Sequence, residues 1–377
     1  MSTIRSVLAR KVHSREAVQV GIVGLGSAPG GWAEVAHLPA LAALDGYEVS
    51  ALSASSVESA ARSGERHGIR RTFGTAAELA ACDEVDLVII AVKVPHHREL
   101  VTAALERGKA VLCEWPLGNG LAEAEQLAGR AREQDVPTVI GLQARSNPAV
   151  RFLRHLVADG YVGDVLSTTI TGSGYGWGAE VDPRNRYTLD SANGATLLTI
   201  PFAHALDAVA SVLGEPERLH IEQTQRLTEA ADVTTGEAVP MNSPDQVVAI
   251  GRLPGGPVAS FHYRGGVNRA TNFRWEINGT KGDLVITAPS GHLQLVPITI
   301  EGARGDQRQV GVLEVPQTYR PLDNLDPIAQ SQAYAVAHAY RQFLEDLRDG
   351  TTVVPDFEHA VIRHRSIHSV DSIHAPV

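Results

Sequence analysis

The sequence contains little cysteine: Cys82 and Cys113 are the two cysteines among 377 residues. Two thiols allow at most one disulfide, which excludes a fold held together by a disulfide framework. Both residues stand in stretches where a buried or loop thiol is ordinary. We therefore expect a reducing compartment and predict a cytoplasmic protein.

The sequence also lacks an excess of positive charge and a long apolar run. Its 33 lysine and arginine residues against 43 aspartate and glutamate residues give a net charge of −10. Nucleic-acid binding requires a basic surface that neutralises phosphates, so we predict no nucleic-acid partner. No run approaches the length that crosses a bilayer, so we predict no membrane partner either. The apolar share of 44% is typical of a globular chain.

The stretch from residue 18 to residue 142 alternates between strand-like and helix-like patterns. The apolar run 85–92 has the strongest strand pattern, and the helix pattern after it ends at Gly108. We predict strands at 18–23, 47–52, 85–92, 109–113 and 138–142, and helices at 57–67, 76–82, 98–107 and 121–134. This alternation predicts a doubly wound parallel sheet, which is the Rossmann architecture.

The pattern changes after Pro148. We predict a helix at 149–158, a strand at 165–171, a glycine- and tyrosine-rich loop at 172–193, a helix at 194–213, strands at 219–223, 246–252, 258–263, 273–278, 283–287 and 293–297, a surface loop at 223–243, and final helices at 329–348 and 357–370. The later strands follow one another without helices, which predicts a mostly antiparallel sheet with an open face. Because such a face often forms a subunit contact, we expect a homo-oligomer, either a dimer or a tetramer.

The length of the chain exceeds what one hydrophobic core usually supports, so we expect two domains. Residues 1–17 contain the basic residues Arg5, Arg10 and Lys11 but no apolar core. We interpret them as a loose N-terminal extension, and a transit peptide is the alternative interpretation. Residues 18–142 form the predicted dinucleotide-binding Rossmann domain. Residues 143–377 form the predicted substrate and dimerisation domain, an α+β domain. The predicted fold class is therefore α/β, with a parallel sheet followed by an open, mostly antiparallel one.

A glycine-rich loop follows the first strand. Gly24 and Gly26 come directly after the strand, and Gly31 precedes Trp32, where a short helix begins. In a dinucleotide site the first glycine turns the chain, the second lets the backbone approach a diphosphate, and N–H groups at the helix start bind it. We assign Gly24, Gly26, Ser27, Gly31 and Trp32 to the cofactor site. The spacing after Gly26 is irregular, and an ordinary turn is the alternative interpretation.

The end of the second strand indicates the type of dinucleotide. A carboxylate at this place would accept hydrogen bonds from the ribose hydroxyls and repel a 2′-phosphate. The strand ends instead in hydroxyl residues that include Ser53 and Ser55, while Glu48 comes too early and Glu58 too late. We therefore predict NADP, with Arg62 as the arginine that has to reach the phosphate and NAD as the alternative cofactor. The competing interpretation is that these serines only cap the next helix.

Two further strand ends carry candidate cofactor residues, because a doubly wound sheet binds its ligand at the carboxyl ends of its strands. These residues are Val92, Lys93, Pro95, His97, Glu114, Trp115 and Pro116. Lys93 is also a candidate for contact with the substrate. An exposed loop lysine is the alternative interpretation.

With these motifs, nearly the whole chain resembles the glucose–fructose oxidoreductase, inositol dehydrogenase and rhizopine-catabolism family. The resemblance also covers the segment from Gln143 to Arg145 and the segment from Trp275 to Leu284. It implies a nicotinamide dinucleotide cofactor and a lysine, in a Glu-Lys-Pro motif, as the proton donor. In this chain the lysine position is Trp115, and an indole cannot exchange a proton in acid–base catalysis.

A second family signature, Asp-x-Gly-x-His-x-x-Asp, is also altered. The chain keeps the histidine as His204 and the last aspartate as Asp207, but Ile200 replaces the first aspartate. With these departures, the spacing from Gly24 to Gly31-Trp32 and the stretch 261–266, the chain resembles the branch that contains the fungal galactose-pathway repressor. That resemblance implies a dinucleotide-binding sensor rather than an enzyme.

His204 and Asp207 are the candidate proton relay. They are three residues apart on a predicted helix and share a face. A neighbouring carboxylate orients an imidazole and raises its pKa towards neutrality. We therefore predict that His204 gives a proton to a carbonyl oxygen, with Lys93, Tyr187 and Tyr175 as alternatives. The competing interpretation is that His204 is a structural helix histidine.

Three functional hypotheses follow from these residues. The first is an NADP-dependent oxidoreductase that transfers hydride between nicotinamide and a sugar-like or polyol-like small molecule, with Trp115 packed on nicotinamide or substrate. The second, based on Trp115 and Ile200, is a non-catalytic dinucleotide-binding regulatory protein. The third is a redox-neutral lyase or hydrolase with a retained cofactor. We predict no metal site, because His364 and His368 have helical metal-ligand spacing but no third ligand.

Overall fold

The structure is a computed structural model that describes residues 3–26, 28–320, 323–368 and 370–374. The chain divides into two compact units. The first unit comprises residues 1–143 and 322–364, and the second unit comprises residues 144–321 and 365–377. Each unit contains its own large sheet.

Ten α-helices lie within the described residues: α1 (Ile4–Ser14), α2 (Leu38–Ala42), α3 (Val57–His67), α4 (Ala76–Ala80), α5 (His97–Glu106), α6 (Leu121–Glu133), α7 (Pro148–Ala158), α8 (Ala203–Leu213), α9 (Ala333–Asp349) and α10 (Phe357–His368). The same ranges contain eighteen strands: β1 (Val18–Val23), β2 (Tyr47–Ser53), β3 (Arg71–Phe73), β4 (Leu87–Ile90), β5 (Ala110–Glu114), β6 (Thr138–Gly141), β7 (Val165–Ser173), β8 (Glu180–Val181), β9 (Arg218–Thr224), β10 (Glu229–Asp232), β11 (Ala238–Pro240), β12 (Gln246–Arg252), β13 (Val258–Arg264), β14 (Phe273–Gly279), β15 (Gly282–Ala288), β16 (Thr299–Arg304), β17 (Gly311–Val312) and β18 (Val370–His374).

The first unit is built on a six-stranded parallel sheet with the strand order β3-β2-β1-β4-β5-β6. Every residue of β4 is buried, as is usual for a strand covered on both faces. The strand order reverses beside β1, so the loop after β1 lies at the topological switch point where such sheets bind ligands. The predicted α/β fold class with a Rossmann sheet is confirmed. The three-residue strand β3 is too short for its pattern to have been recognised.

Residues 4–14 form a packed helix and not the loose extension that we expected. The side chain of Thr3 accepts a hydrogen bond from the N–H of Ser6 and caps α1, and Leu8 is fully buried in the core of the first unit. Lys11 Nζ lies 2.5 Å from the Asp86 carboxylate. α1 packs against α9, which is far away in the sequence. The expectation is wrong because the partner that buries Leu8 is not recognisable from the local pattern.

The segment 322–364 belongs to the first unit, whereas we expected all of 143–377 to form the second domain. Tyr340 and Phe343 of α9 lie in the same core as β1 and α2. The Tyr47 hydroxyl donates to the Tyr340 carbonyl at 2.9 Å. An amphipathic helix shows which of its faces is buried but not which sheet covers that face, so this return of the chain could not be predicted.

The second unit is built on a nine-stranded sheet with the order β17-β16-β15-β14-β7-β13-β12-β9-β18. The pairs β7–β13 and β9–β18 are parallel and the other pairs are antiparallel, so the predicted mostly antiparallel sheet is confirmed. One face buries large side chains, including Phe261, Tyr263 and Trp275. The other face carries exposed side chains, among them Val248 and Ile250.

Two predictions for the second unit are wrong. Residues 293–297 do not form a strand, and the strand of this region is β16 at Thr299–Arg304. Pro297 cannot donate a hydrogen bond to a sheet, whereas Leu293 is buried within a turn and produced the misleading apolar pattern. The predicted surface loop at 223–243 contains β10 and β11, which form a small sheet with β8.

The structure also differs from the expectation that no apolar run reaches membrane-spanning length. Within the described residues, the segment Ser191–Leu213 is long and apolar enough to cross a membrane, judged by length and composition alone. Inside the protein, 78% of the most apolar part of this segment is buried. The segment includes α8, whose residues are buried on nearly every side, and a helix enclosed in a core is apolar all round for that reason.

Candidate functional site

The glycine-rich loop of the first unit requires glycine at residue 24. Gly24 has φ of +102°, and a Cβ at this place would lie 2.4 Å from the Ala91 carbonyl oxygen. The Gly24 N–H donates to the Ser53 carbonyl at 3.2 Å and joins the loop to the end of β2. A Cβ at Gly26 or Gly31 would meet no atom within 4 Å, so these two glycines leave open space beside the backbone. Ser27 lies outside the described residues.

The end of β2 carries hydroxyls and no carboxylate. Ser53 is buried, and its Oγ has no hydrogen-bond partner among the described residues. Ser55 is exposed, and Ser56 caps α3 by accepting a hydrogen bond from the N–H of Ser59 at 3.1 Å. The capping interpretation therefore holds for Ser56. The open space beside Gly26 and the unpartnered Ser53 hydroxyl fit the ribose and diphosphate of a dinucleotide.

The loop after β4 holds four of the predicted cofactor residues. Lys93 and Pro95 are exposed, Val92 is half-buried and His97 is buried. His97 Nδ1 lies 2.7 Å from the Pro116 carbonyl oxygen, and Nε2 lies 3.0 Å from the Val92 carbonyl oxygen. Burial lowers the pKa of His97, and a neutral imidazole donates to one of the two carbonyls. His97 therefore connects the loop after β4 with the loop after β5.

Glu114, at the end of β5, lies at the centre of a buried polar network. It accepts hydrogen bonds from the Gln143 amide at 2.8 and 2.9 Å, and its Oε1 lies 3.1 Å from His37 Nε2. Burial raises the pKa of Glu114, but the contacts with His37 and Gln143 outweigh burial and lower it below its usual value. A Cβ at Gly141 would lie 2.7 Å from the carboxylate, so the space around Glu114 is filled.

The network continues from His37 to α9. Burial raises the pKa of Tyr340 well above its usual value, so its hydroxyl stays protonated. That hydroxyl lies 2.6 Å from His37 Nδ1. The His37 imidazole thus has the Tyr340 hydroxyl at Nδ1 and the Glu114 carboxylate at Nε2. The network holds the end of β5, the helical turn 33–37 before α2, and α9 together within the first unit.

Trp115 replaces the family lysine and is buried. Its ring centroid lies 4.5 Å from that of His364 on α10, with 44° between the planes. The peptide bond between Trp115 and Pro116 is cis. The side chains of Trp115 and Pro116 cannot supply a proton in place of the missing lysine.

In the second unit, His204 and Asp207 lie on α8 and both are buried. Both Asp207 oxygens accept hydrogen bonds from Arg145, at 2.8 Å from Nε and 3.2 Å from Nη2. The Arg145 guanidinium therefore compensates the charge of Asp207. Asp207 also lies on the same face of α8 as His204. Its predicted role in orienting His204 stays a prediction.

The helix that carries His204 begins with a widened turn. Pro201 has no N–H, and the N–H of Phe202 bonds the Leu197 carbonyl five residues earlier at 3.2 Å. Such π-helical turns occur frequently at functional sites. Ile200, which replaces the family aspartate, lies within this turn.

His292 is a site residue that the sequence did not predict. Its ring is near-parallel to the rings of Tyr175 and Trp177, whose centroids lie 5.2 and 6.3 Å away. The Tyr175 N–H donates to His292 Nε2 at 3.2 Å. Burial, followed by the charge of His204, lowers the pKa of His292 to about 3. The imidazole is therefore neutral at physiological pH, and the Tyr175 ring stacked with it is exposed.

Tyr187, an alternative proton donor, lies in a 3₁₀ turn of the second unit and is half-buried. Burial raises its pKa, which makes its proton harder to remove. Its carbonyl accepts a hydrogen bond from the Asn193 side chain at 2.7 Å.

The structure thus brings together predicted residues within each unit. Gly24 meets the end of β2, and His97 meets Pro116 in the first unit, while His204 and Asp207 share α8 in the second. The residues that sequence reasoning missed are Glu34, His37, Arg66, Gln143, Arg145 and His292. Gln143 and Arg145 stand in a segment of family resemblance, a signal that could have identified them; the others carry no local signal.

Two family models match the chain, one over the parallel sheet and one over the mostly antiparallel sheet. Residues 18–142 match the model of an oxidoreductase family with an NAD-binding Rossmann fold, and residues 148–288 match that of the C-terminal domain of Gal80p. The two models thus cover the parallel sheet of the first unit and most of the large sheet of the second.

The chain is similar to both a dehydrogenase and a regulator. It is 33% identical to dehydrogenase aclE of Aspergillus oryzae over 293 residues, which are 74% of this chain and 79% of the relative. It is 30% identical to the galactose/lactose metabolism regulatory protein GAL80 of Saccharomyces cerevisiae over 298 residues, which are 74% of this chain and 68% of the relative.

Solved structures show the same fold over nearly the whole chain. A super-repressor mutant of Gal80p from Saccharomyces cerevisiae has a TM-score of 0.83 with 26% identity and covers 94% of this chain and 95% of its own. Levoglucosan dehydrogenase in complex with NADH and levoglucosan has a TM-score of 0.81 with 19% identity, covering 94% of this chain and 96% of its own. At that identity the second likeness shows the fold alone.

Proposed function

The chain belongs to the glucose–fructose oxidoreductase, inositol dehydrogenase and rhizopine-catabolism family, whose N-terminal domain is an NAD-binding Rossmann fold, and on this basis we propose that it is an NADP-dependent oxidoreductase. Its proposed substrate is a sugar-like or polyol-like alcohol, or the corresponding carbonyl compound. A bound nicotinamide supplies or accepts the hydride. The observation that carries the proposal is the loop at Gly24, where backbone packing excludes any side chain beside the switch point of the sheet.

The preference for NADP is supported by the end of β2 and by one guanidinium. No carboxylate stands at the end of β2 to accept from the 2′-hydroxyl of NAD. Arg66 Nη2 lies 3.4 Å from the Gly26 carbonyl oxygen and brings a positive charge to the glycine-rich loop. Arg62, which the sequence suggested for this role, is exposed on the same helix.

We assign the proton transfer to His204. In the direction of carbonyl reduction, hydride adds to the carbon and His204 gives a proton to the oxygen; in the direction of alcohol oxidation it takes the proton back. The support is its position on α8 beside Asp207 and near the neutral His292. Trp115 cannot take this part because indole has no exchangeable acid–base proton in this range.

The sugar-like substrate is supported by the aromatic stack of the second unit. Tyr175 is 53% exposed, and His292 covers its inner face. Aromatic rings with one open face bind the apolar C–H faces of sugar rings. We expect Tyr175→Ala to raise KM without changing the affinity for NADP, and Tyr175→Phe to keep KM close to its original value.

Turnover tests the proposal directly. The purified chain is titrated calorimetrically with NADP and NAD, and NADPH oxidation is then followed by absorbance with a panel of keto-sugars and other small carbonyl compounds. We expect turnover with at least one carbonyl compound. His204→Ala is expected to abolish it and to leave the Kd for NADP nearly unchanged. Full turnover in His204→Ala would remove His204 from its assigned part.

A non-catalytic, dinucleotide-binding regulatory protein is the second candidate function. The observations that favour it are Trp115 in place of the family lysine and the similarity to GAL80 and to the Gal80p C-terminal domain model. On this alternative, the chain binds NADP but oxidises no NADPH with any member of the panel. Turnover with a single compound would reject it.

We also propose that the open face of the large sheet joins two copies of the chain. This face carries the exposed apolar side chains of Val248, Ile250 and Val258 among polar ones. Light scattering coupled to gel filtration is expected to give a dimer or a tetramer. Ile250→Asp is expected to lower the mass to that of the monomer, and an unchanged mass would reject this face as the contact.

A further inference from the structure

The glycine-rich loop of the first unit already has a negatively charged partner within the chain. Glu34 lies at the start of the helical turn 33–37, and its Oε2 accepts a hydrogen bond from the Gly30 N–H at 2.6 Å. Its Oε1 lies 3.2 Å from Arg66 Nη2. A carboxylate of the protein thus engages a loop N–H and a guanidinium, which are the two kinds of group that bind a phosphate.

Arg66 reaches this loop from the last turn of α3. Its Nη2 donates to the Gly26 carbonyl at 3.4 Å, and its Nε donates to His67 Nε2 at 3.1 Å. Burial and the charge of Arg66 lower the pKa of His67, so that imidazole is neutral and adds no charge to the cluster. The positive charge of the cluster therefore belongs to Arg66. Its side chain is 33% exposed and that of Glu34 is 22% exposed, so solvent reaches the pair.

We infer that Arg66 selects NADP by binding its 2′-phosphate, and that Glu34 is an internal competitor that this phosphate displaces from Arg66. The inference rests on the proposed function, because it concerns the same cofactor. A phosphate monoester carries a charge of about −1.5 to −2 near neutral pH and offers three acceptor oxygens, against one charge and two oxygens for a carboxylate. The 2′-phosphate therefore binds the guanidinium more strongly than Glu34 does. The 2′-hydroxyl of NAD carries no charge and leaves the Glu34–Arg66 pair intact.

This arrangement places different demands on the two residues. Loss of the Arg66 charge removes charge-assisted hydrogen bonds to the 2′-phosphate, which corresponds to about a 10-fold or greater loss of NADP affinity and leaves NAD affinity unchanged. Loss of the Glu34 charge removes the competitor. A partly exposed ion pair of this kind is worth up to about a fivefold change in affinity, so NADP binds up to about fivefold more tightly. Glutamine at position 34 retains a carbonyl oxygen for the Gly30 N–H and so preserves the loop.

The test is a double-mutant cycle of Glu34→Gln, Arg66→Gln and the combined variant in the full chain. Calorimetric Kd values are measured for NADP and NAD, and for adenosine 2′,5′-bisphosphate and adenosine 5′-monophosphate, which isolate the contribution of the 2′-phosphate. Glu65→Gln, on the same helix, is the matched control and is expected to change the NADP-to-NAD ratio little. Thermal unfolding of each variant verifies that it is folded.

We expect Arg66→Gln to abolish the preference for the 2′-phosphate, Glu34→Gln to increase it, and the second effect to vanish in the combined variant. An NADP-to-NAD ratio unchanged in Arg66→Gln, or NADP binding weakened in Glu34→Gln, would overturn the inference. Equal affinity of the unaltered chain for the two dinucleotides would also overturn it, while leaving an oxidoreductase in place. Failure of the unaltered chain to bind either dinucleotide is a different result and would reject the proposed function itself.

Discussion

Substitution of Gly24 and Gly26 by alanine is expected to separate folding from cofactor binding within one loop. An alanine at 24 adopts a left-handed backbone with φ of +102°, and its Cβ would lie 2.4 Å from the Ala91 carbonyl oxygen and 2.7 Å from a Val92 methyl group. The backbone conformation costs about 1–2 kcal/mol and the overpacking about 1–3 kcal/mol. We therefore expect Gly24→Ala to lower the free energy of unfolding by about 2–5 kcal/mol.

Gly26→Ala is the matched control, because a Cβ at 26 meets no atom within 4 Å. Its unfolding free energy is expected to change by no more than about 0.5 kcal/mol. Its affinity for dinucleotides is expected to fall, since the added methyl group enters the space through which the diphosphate approaches the backbone.

The assay combines thermal unfolding with calorimetric titration of NADP. Gly24→Ala is expected to lower the unfolding midpoint by at least about 4 °C, and Gly26→Ala is expected to weaken binding at an unchanged midpoint. An unchanged midpoint in Gly24→Ala would contradict the packing at Ala91. Undiminished binding in Gly26→Ala would show that the cofactor does not use this loop.

Three further predictions concern packing inside each of the two units. Glu114→Gln is expected to lower the unfolding free energy by about 1.5–3 kcal/mol at pH 7, because the pKa of Glu114 is depressed in the folded state. The difference in unfolding free energy from the original chain should disappear as the pH falls below the ordinary pKa of 4.5 and through the lower folded-state pKa. Urea unfolding between pH 3 and pH 7 measures this difference. Leu8→Ala is expected to cost about 2–5 kcal/mol in the same assay, because Leu8 is fully buried, whereas a loose extension would give no change. Arg145→Gln is expected to cost about 3–5 kcal/mol by leaving the buried Asp207 carboxylate without its guanidinium, and the combined change with Asp207→Asn is expected to recover much of that loss; no recovery would indicate that the pair is not coupled.

Elements with strong local patterns were predictable. The apolar run around β4, the helix stop at Gly108 and the chain turn at Gly24 each depend on neighbours within a few residues, and the structure has a strand, a helix end and a left-handed glycine there. The alternation of such elements predicts a parallel sheet because short loops and right-handed crossovers leave few other arrangements. Hence the Rossmann sheet and its switch point follow from residue order.

Site partners were much less predictable. Arg66, not the nearer Arg62, reaches the glycine-rich loop, and Asp207 binds Arg145 in addition to sharing a helix face with His204. His292 shows no sequence pattern of its own, and only its contacts with the rings of Tyr175 and Trp177 mark it as a candidate site residue. Each of these contacts depends on the angle at which a helix lies or a loop closes, and a sequence pattern carries no such angle.

The order of residues alone specifies the strands, the helices and the glycine that a tight turn needs, because these depend on backbone sterics and on apolar periodicity over short distances. The folded chain adds the contact of His37 with Tyr340 of α9 and the burial of Leu8, and it brings the Glu34 carboxylate to Arg66. Such contacts join side chains that are distant in sequence, and they form only when the core brings their backbones within a few ångströms. Charge and tautomer at the site are set by those neighbours, so they are properties of the packed protein and not of any local motif.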